Sequence, residues 1–174
     1  FLGAFHPRQV RVRRLDRLEP IALGSVLALL AANLAGLPAG VLGACAALAA
    51  AAHAGRMSLW RSWATVGHPI LWILHAAYAW IVIHLALRAL AAVDLVPASA
   101  ATHALTVGAI GGLIIGMITR TARGHTGRPL QASPLETAAY SLVQLAALVR
   151  VFLPLAVPAL TLAAVALSGA LWTL

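Results

Sequence analysis

Long apolar segments, separated by short stretches rich in arginine or in glycine and proline, dominate this chain. The hydrophobic residues make up 62% of the sequence and the charged residues only 9%, whereas a soluble domain carries about 25% charged residues. The bilayer is therefore the expected solvent. The segments predict an all-α polytopic transmembrane helix bundle with about six spans, most of them close to the ~20 residues that a bilayer core requires. A basic juxtamembrane segment at 1–20 precedes predicted spans at 21–37, 38–54, 69–92, 101–119, 135–151 and 155–173.

Glycine and proline mark several of the predicted helix ends. The run GLPAG at 36–40 predicts a tight hairpin between the first two spans. Pro69 stands where a helix loses nothing by lacking an N–H group, in the first turn of the third span. Ser133, Pro134 and Glu136 form a predicted N-cap, N1 proline and capping-box acid for the fifth span.

The basic residues of the chain, all twelve of them arginine, predict its orientation. In a six-span topology, ten fall on one side: Arg8, Arg11, Arg13, Arg14, Arg17, Arg56, Arg61, Arg120, Arg123 and Arg128. Arg88 and Arg150 fall on the other. Because arginine in short loops stays in the cytoplasm, the first side is predicted to be cytoplasmic. These arginines suit anionic lipid headgroups as partners, and their positions beside apolar spans argue against a nucleic-acid-binding protein.

Histidine is the candidate ligand type in this chain. Ionisable groups at membrane depth are functional-site hypotheses by default, and imidazole suits haem iron and copper. The sequence has one cysteine and no paired carboxylates for hydrolysis. Metal or haem ligation is favoured for His75, His103 and His125. For His53, His68 and His84, a hydrogen-bonding role is at least as well supported as ligation.

The spacing of these histidines separates them. His75 and His84 are nine residues apart and point to opposite faces of one helix. His103 and His125 would lie about 33 Å apart along a continuous helix. Neither pair can share an ion, so the sequence allows two sites at different depths.

The fourth span combines a glycine ridge with a basic loop. Gly108, Gly112 and Gly116 form a surface that lets another helix approach closely, on the side away from His103. Arginines follow in the loop at positions 120, 123 and 128. They suit bidentate binding of haem propionates, although membrane topology alone also accounts for them.

Two long motifs are similar to those of a known family. The stretch HALTVGAIGGLIIGMITRTARGHTGRPL at 103–130 resembles the signature of the NnrS family, membrane proteins of denitrifying and related bacteria. HPILWILHAAYAW at 68–80, together with the tryptophan-containing loop at 56–63, resembles the helix and loop that precede that signature. LAALVRV at 145–151 and ALWTL at 170–174 are similar to the closing spans. The resemblance covers roughly residues 50–174.

The resemblance implies a polytopic protein of the bacterial inner membrane that binds haem and copper and takes part in the response to nitric oxide. It places cofactor-binding roles on His75, His103 and His125, with Tyr78 one turn beyond His75. Of the other candidates, His68 is secondary, because the family does not require histidine before that proline. Arg120, Arg123 and Arg128 are the expected propionate partners. Whether the protein is an enzyme stays open, and no catalytic residue is assigned.

The resemblance also implies a longer protein, because family members have about twelve spans. The chain is expected to correspond to a second half, with its site completed by a missing N-terminal half or by self-association. Two other functions remain open. A cytochrome b-like electron carrier would clamp one haem between histidines of two helices, and a transporter or scaffold would use the histidines without any cofactor.

Overall fold

The structure is a computed structural model, and it describes residues 15–173. Much of the predicted basic segment, including Arg8, Arg11, Arg13 and Arg14, lies outside the described residues. The described part is all-α, as predicted, and has six apolar helices. They are α1 Leu18–Leu34, α2 Ala39–Leu59, α3 Pro69–Ala91, α4 Ala98–His125, α5 Pro134–Ala156 and α6 Thr161–Thr173, the last preceded by a 3₁₀ turn at Pro158–Leu160.

Four of the helices, α2 to α5, are long and apolar enough to cross a membrane. Helix α1 has 17 residues and α6 has 13, so these two are shorter than a typical span. The protein is thus an integral membrane protein whose six helices comprise four candidate spans and two shorter apolar helices. Many leucine, isoleucine and valine side chains are exposed, as expected for a protein surrounded by lipid.

The helix ends follow the predicted signals. Gly36 has φ of +63°, the left-handed conformation that ends α1 and that glycine adopts without strain. Pro69 is the first residue of α3. At α5 the Ser133 hydroxyl accepts from the Glu136 N–H at 3.3 Å, and the Glu136 carboxylate accepts from the Ser133 N–H at 2.6 Å. The predicted capping box is therefore confirmed.

Three helices run past their predicted ends. Helix α2 continues to Leu59, where 54 was the predicted end. Helix α4 covers Ala98–His125 rather than 101–119, and its middle portion, Ala104–Ile110, is π-helical. Helix α5 continues through Pro154 to Ala156, where 151 was the predicted end. These differences lengthen the helices without changing their number or order.

Helix α3 lies at the centre of the bundle and packs against α2, α4 and α5. One core cluster joins Trp80 and Leu87 of α3 to alanines of α4 and to Val151 of α5. A second cluster joins Leu29 of α1 and alanines of α2 to Leu85 of α3. Helix α1 packs on α2, and α6 packs on α5, so the two shorter helices flank the four longer ones.

The loops at one end of the bundle meet one another. Glu19 at the start of α1 binds Arg56 near the end of α2 at 2.8 Å, and Arg123 of α4 binds Glu136 of α5. The α2–α3 and α4–α5 loops line a shared cavity of about 280 Å³. The arginines of the described residues therefore divide between the two ends as predicted, with positions 17, 56, 61, 120, 123 and 128 at this end and 88 and 150 at the other.

Candidate functional site

The predicted ligand His75 lines a cavity of about 450 Å³ between the end of α2, the loop after it and α3. The walls are mainly apolar and aromatic, and the cavity is lined by Met57, Ser62, Trp63, Val66, Trp72, His75, Ala76 and Ala79. The turn at Ser62–Thr65 folds Trp63 over this space, since Arg61 before it has the left-handed φ of 52°. The loop after α2 therefore forms one wall of an apolar pocket around an imidazole.

Two polar side chains that line this cavity have no hydrogen-bond partner among the described residues. The His75 ring packs against Trp60, with ring centroids 5.9 Å apart, and has no hydrogen-bond partner among residues 15–173. The Ser62 hydroxyl is buried and also has no partner in that range. An imidazole and a thioether, from His75 and Met57, thus share one cavity with an unpaired hydroxyl group.

His53 differs from His75 because both of its ring nitrogens are engaged. Nε2 lies 3.1 Å from the Ala22 carbonyl oxygen, and Nδ1 lies 2.6 Å from the Tyr78 hydroxyl. A carbonyl only accepts, so Nε2 carries the proton and Nδ1 accepts from Tyr78. No lone pair is left for a metal. His53 is 8% exposed and joins α1, α2 and α3 as a hydrogen-bonding residue.

Tyr78 and Arg56 belong to the same network. The Arg56 guanidinium donates to the Tyr78 hydroxyl at 3.4 Å and lies 5.0 Å from the centroid of the Trp60 ring. Trp60 in turn packs against both Tyr78, at a centroid distance of 4.5 Å, and His75. Trp60 therefore contacts both Tyr78 and the cavity histidine, and the Tyr78 hydroxyl faces His53.

The other predicted ligands lie elsewhere. His103 is half-buried immediately before the π-helical stretch of α4. His125 is exposed in the last turn of α4. His68 precedes Pro69 and lines the cavity between the two loops. The structure brings none of these three into the cavity that His75 lines.

One arginine of the α4–α5 loop is already paired. Arg123 donates to both carboxylate oxygens of Glu136 and, at 3.3 Å, to the Pro129 carbonyl. This contact connects α4 to the capping box of α5. Arg120 is partly exposed and Arg128 is exposed, so these two have more freedom to meet a carboxylate ligand than Arg123 has.

Within residues 15–173, no three histidine, cysteine or acidic side chains converge as a metal site would require. His75, His103 and His125 are therefore three separate positions in this arrangement. Met57 was not among the predicted ligands, because only imidazole and thiolate ligands were considered and not thioethers. For His84, ligation and a hydrogen-bonding role were both left open, and its Nδ1 lies 2.8 Å from the Ala101 carbonyl oxygen beside a second cavity.

The glycine ridge is a helix-packing surface within the chain. A Cβ at Gly112 would come within 2.9 Å of the Ala77 Cβ on α3, and one at Gly116 within 3.0 Å of an Ile73 side-chain atom. The ridge lets α3 and α4 approach closely. It thereby sets how the helix that carries His75 lies against the helix that carries His103.

Comparison with known proteins identifies the family. The sequence model of the NnrS protein family matches residues 1–174. The match includes residues 1–49, which the sequence motifs had not covered. No curated protein and no solved structure gave a significant match. A family match over the whole length shows that this integral membrane protein belongs to the NnrS family.

Proposed function

We propose that this protein binds haem and copper in the bacterial inner membrane and takes part in the response to nitric oxide. Family membership over the whole chain is the observation that carries the proposal. The cavity beside His75 supports it, because an imidazole with no hydrogen-bond partner among the described residues faces a mainly apolar space of about 450 Å³.

The donor set in that cavity fits copper, and especially Cu(I). Soft thioether ligands select Cu(I), and imidazole binds copper well. Met57 and His75 supply one of each, from two different helices. Trp60 packs against the histidine ring, and Trp63 and Trp72 line the same cavity. A metal bound there would supply an open coordination position for nitric oxide in an apolar pocket.

The surrounding network positions this pocket. Trp60 packs against His75, and Arg56 and Tyr78 both contact the Trp60 ring. His53 then connects Tyr78 to α1 through the Ala22 carbonyl. We propose that the network orients the histidine ring and that His53 itself binds no metal. His103, His125 and the loop residues Arg120 and Arg128 remain candidate haem contacts.

The test uses the detergent-purified protein, with haem and copper quantified per chain and optical spectra recorded in the oxidised and dithionite-reduced states. We expect bound metal and a Soret band that shifts when nitric oxide is added. A haem spectrum indifferent to nitric oxide would favour the electron carrier. The absence of both haem and copper, even after the purified protein is incubated with each, would contradict the proposal.

Substitutions of His75 and Met57 test whether their cavity is the copper site. His75→Ala and Met57→Leu are each expected to lower the affinity for Cu(I) at least about 10-fold, which corresponds to about 1.4 kcal/mol, measured by competition with a chromophoric Cu(I) chelator. Met117→Leu is the matched control for the methionine change, since Met117 is exposed on α4 and does not line the cavity. Equal Cu(I) affinities in the wild type and in the His75 and Met57 variants would exclude this cavity.

A further inference from the structure

A second cavity, of about 350 Å³, lies at the end of the bundle away from the arginine-rich loops, where α3 meets the first turns of α2 and α4. Five alanines and Leu42 form most of its wall, and His84 and Arg88 are its ionisable residues. Ala98 and Thr102 line it and are exposed, so the cavity is open to the surface of the protein there.

Arg88 brings a positive charge to this cavity without a counter-ion from the protein. Neither of the two ion pairs among residues 15–173 includes Arg88, and no hydrogen bond joins its guanidinium to another residue in that range. The described residues that line the cavity include no carboxylate. Arginines in membrane-spanning helices usually pair with an opposite charge or mark a binding site. An anion from outside the chain would supply the missing partner.

The starts of two helices add to the positive character of this space. Helix α2 begins at Ala39 and α4 at Ala98, and both of these residues line the cavity. The first turn of a helix has N–H groups without intrahelical partners and carries a partial positive charge, so it favours anions. One guanidinium and two helix starts therefore border one cavity, which indicates an anion site rather than a metal site.

The hydrogen bond of His84 indicates what else the anion carries. Its Nδ1 lies 2.8 Å from the Ala101 carbonyl oxygen. A carbonyl only accepts, so Nδ1 carries the proton, and Nε2 of the neutral ring is a hydrogen-bond acceptor. Arg88 follows His84 by one helical turn, so both side chains lie on the same face of α3. A ligand that meets both residues has anionic oxygens for the guanidinium and a hydroxyl group for Nε2.

A phosphate with a neighbouring hydroxyl group has both features, and the planar fork of arginine matches two phosphate oxygens. We propose that this cavity binds a phosphate group, with Arg88 as its main contact and His84 Nε2 accepting from a hydroxyl of the same ligand. Two sources supply this chemistry. One is a phosphatidylglycerol headgroup, since the cavity opens near the ends of the helices, where lipid headgroups lie. The other is the free phosphate monoanion. The proposal goes beyond haem and copper binding and does not depend on it.

Native mass spectrometry of the detergent-purified protein with added phosphatidylglycerol tests the lipid source. Arg88→Gln is expected to bind the lipid at least about 10-fold more weakly than the wild type, because it loses hydrogen bonds between charged groups. Arg150→Gln is the matched control, since Arg150 is the other arginine at this end of the bundle and does not line the cavity. Isothermal titration calorimetry with inorganic phosphate tests the free source on the same three proteins.

A steric variant keeps the test decisive if Arg88→Gln folds poorly. Ala98→Trp narrows the mouth of the cavity at an exposed position and should weaken binding of the same probe several-fold with Arg88 intact. Ser99→Trp, at the next exposed position and outside the cavity lining, is its control. Size-exclusion profiles report whether each variant is folded.

The outcomes identify the source or overturn the site. Weaker binding in Arg88→Gln and Ala98→Trp alone supports the proposal, and the probe affected, lipid or inorganic phosphate, identifies the source. Binding of neither probe by the wild type, or equal binding by the wild type and these two variants, would overturn it. Equal weakening by Arg88→Gln and Arg150→Gln would show a general effect of charge and would also overturn it. Each of these failures leaves the copper and haem measurements unaffected.

Discussion

His53 contributes to the stability of the bundle through two buried hydrogen bonds. Its ring connects the Ala22 carbonyl of α1 to the Tyr78 hydroxyl of α3. His53→Ala would leave both groups without this partner, and a buried unsatisfied polar group costs about 1–3 kcal/mol. We expect the variant to unfold at a lower temperature in detergent, measured by circular dichroism. His53→Gln should recover part of the loss, and an unchanged midpoint for His53→Ala would contradict the role assigned to the network.

Sequence reasoning found the residue types of the candidate sites more readily than their partners. It identified His75 because its position in a tryptophan-rich helix resembled a family motif. It could not find Met57, which lines the same cavity as His75 because α2 packs against α3. Likewise, the hydrogen bond that fixes the His84 ring depends on a backbone carbonyl of another helix. Contacts between residues far apart in sequence leave no local pattern.

The close packing of α4 on α3 depends on individual glycines. At Gly112, an added Cβ would lie 2.9 Å from the Ala77 Cβ and 2.8 Å from the Gln144 side-chain nitrogen. The Ala77 Cβ cannot rotate away, so Gly112→Ala must shift α4, and such overpacking costs about 1–3 kcal/mol. We expect a lower unfolding midpoint in detergent. Gly124→Ala on the same helix is the control, since nothing lies within 4 Å of its added Cβ. Equal midpoints for the two variants would show that the ridge does not limit helix approach.

At the scale of the helices, the sequence predicted number, order and several ends correctly because these depend on local signals. Proline at N1, a capping box and a glycine with positive φ are each readable from a few residues. The π-helical stretch at Ala104–Ile110 was not foreseen. It occurs where Gly108 lies directly against the Trp80 ring, and packing between helices is absent from a one-dimensional pattern. Such stretches are frequent at functional sites, and this one begins directly after His103.

The whole molecule is asymmetric in charge, and this asymmetry predicts its orientation in the membrane. Six of the eight arginines in the described residues lie at the end that contains the α2–α3 and α4–α5 loops. The positive-inside rule places that end in the cytoplasm. The cavity at His75 would then lie towards the cytoplasmic side, and the cavity beside His84 towards the opposite side.

Cysteine labelling in spheroplasts measures this orientation. In a Cys45→Ala background, Ser99→Cys and Gln131→Cys place single thiols at exposed positions on opposite ends of the bundle. A membrane-impermeant maleimide should label the cysteine at 99 in intact spheroplasts and the one at 131 only after lysis. The reverse pattern would place the arginine-rich end outside, and the cavity at His75 would then face away from the cytoplasm. Labelling of both thiols before lysis would show that the chain inserts in two orientations, contrary to the charge argument.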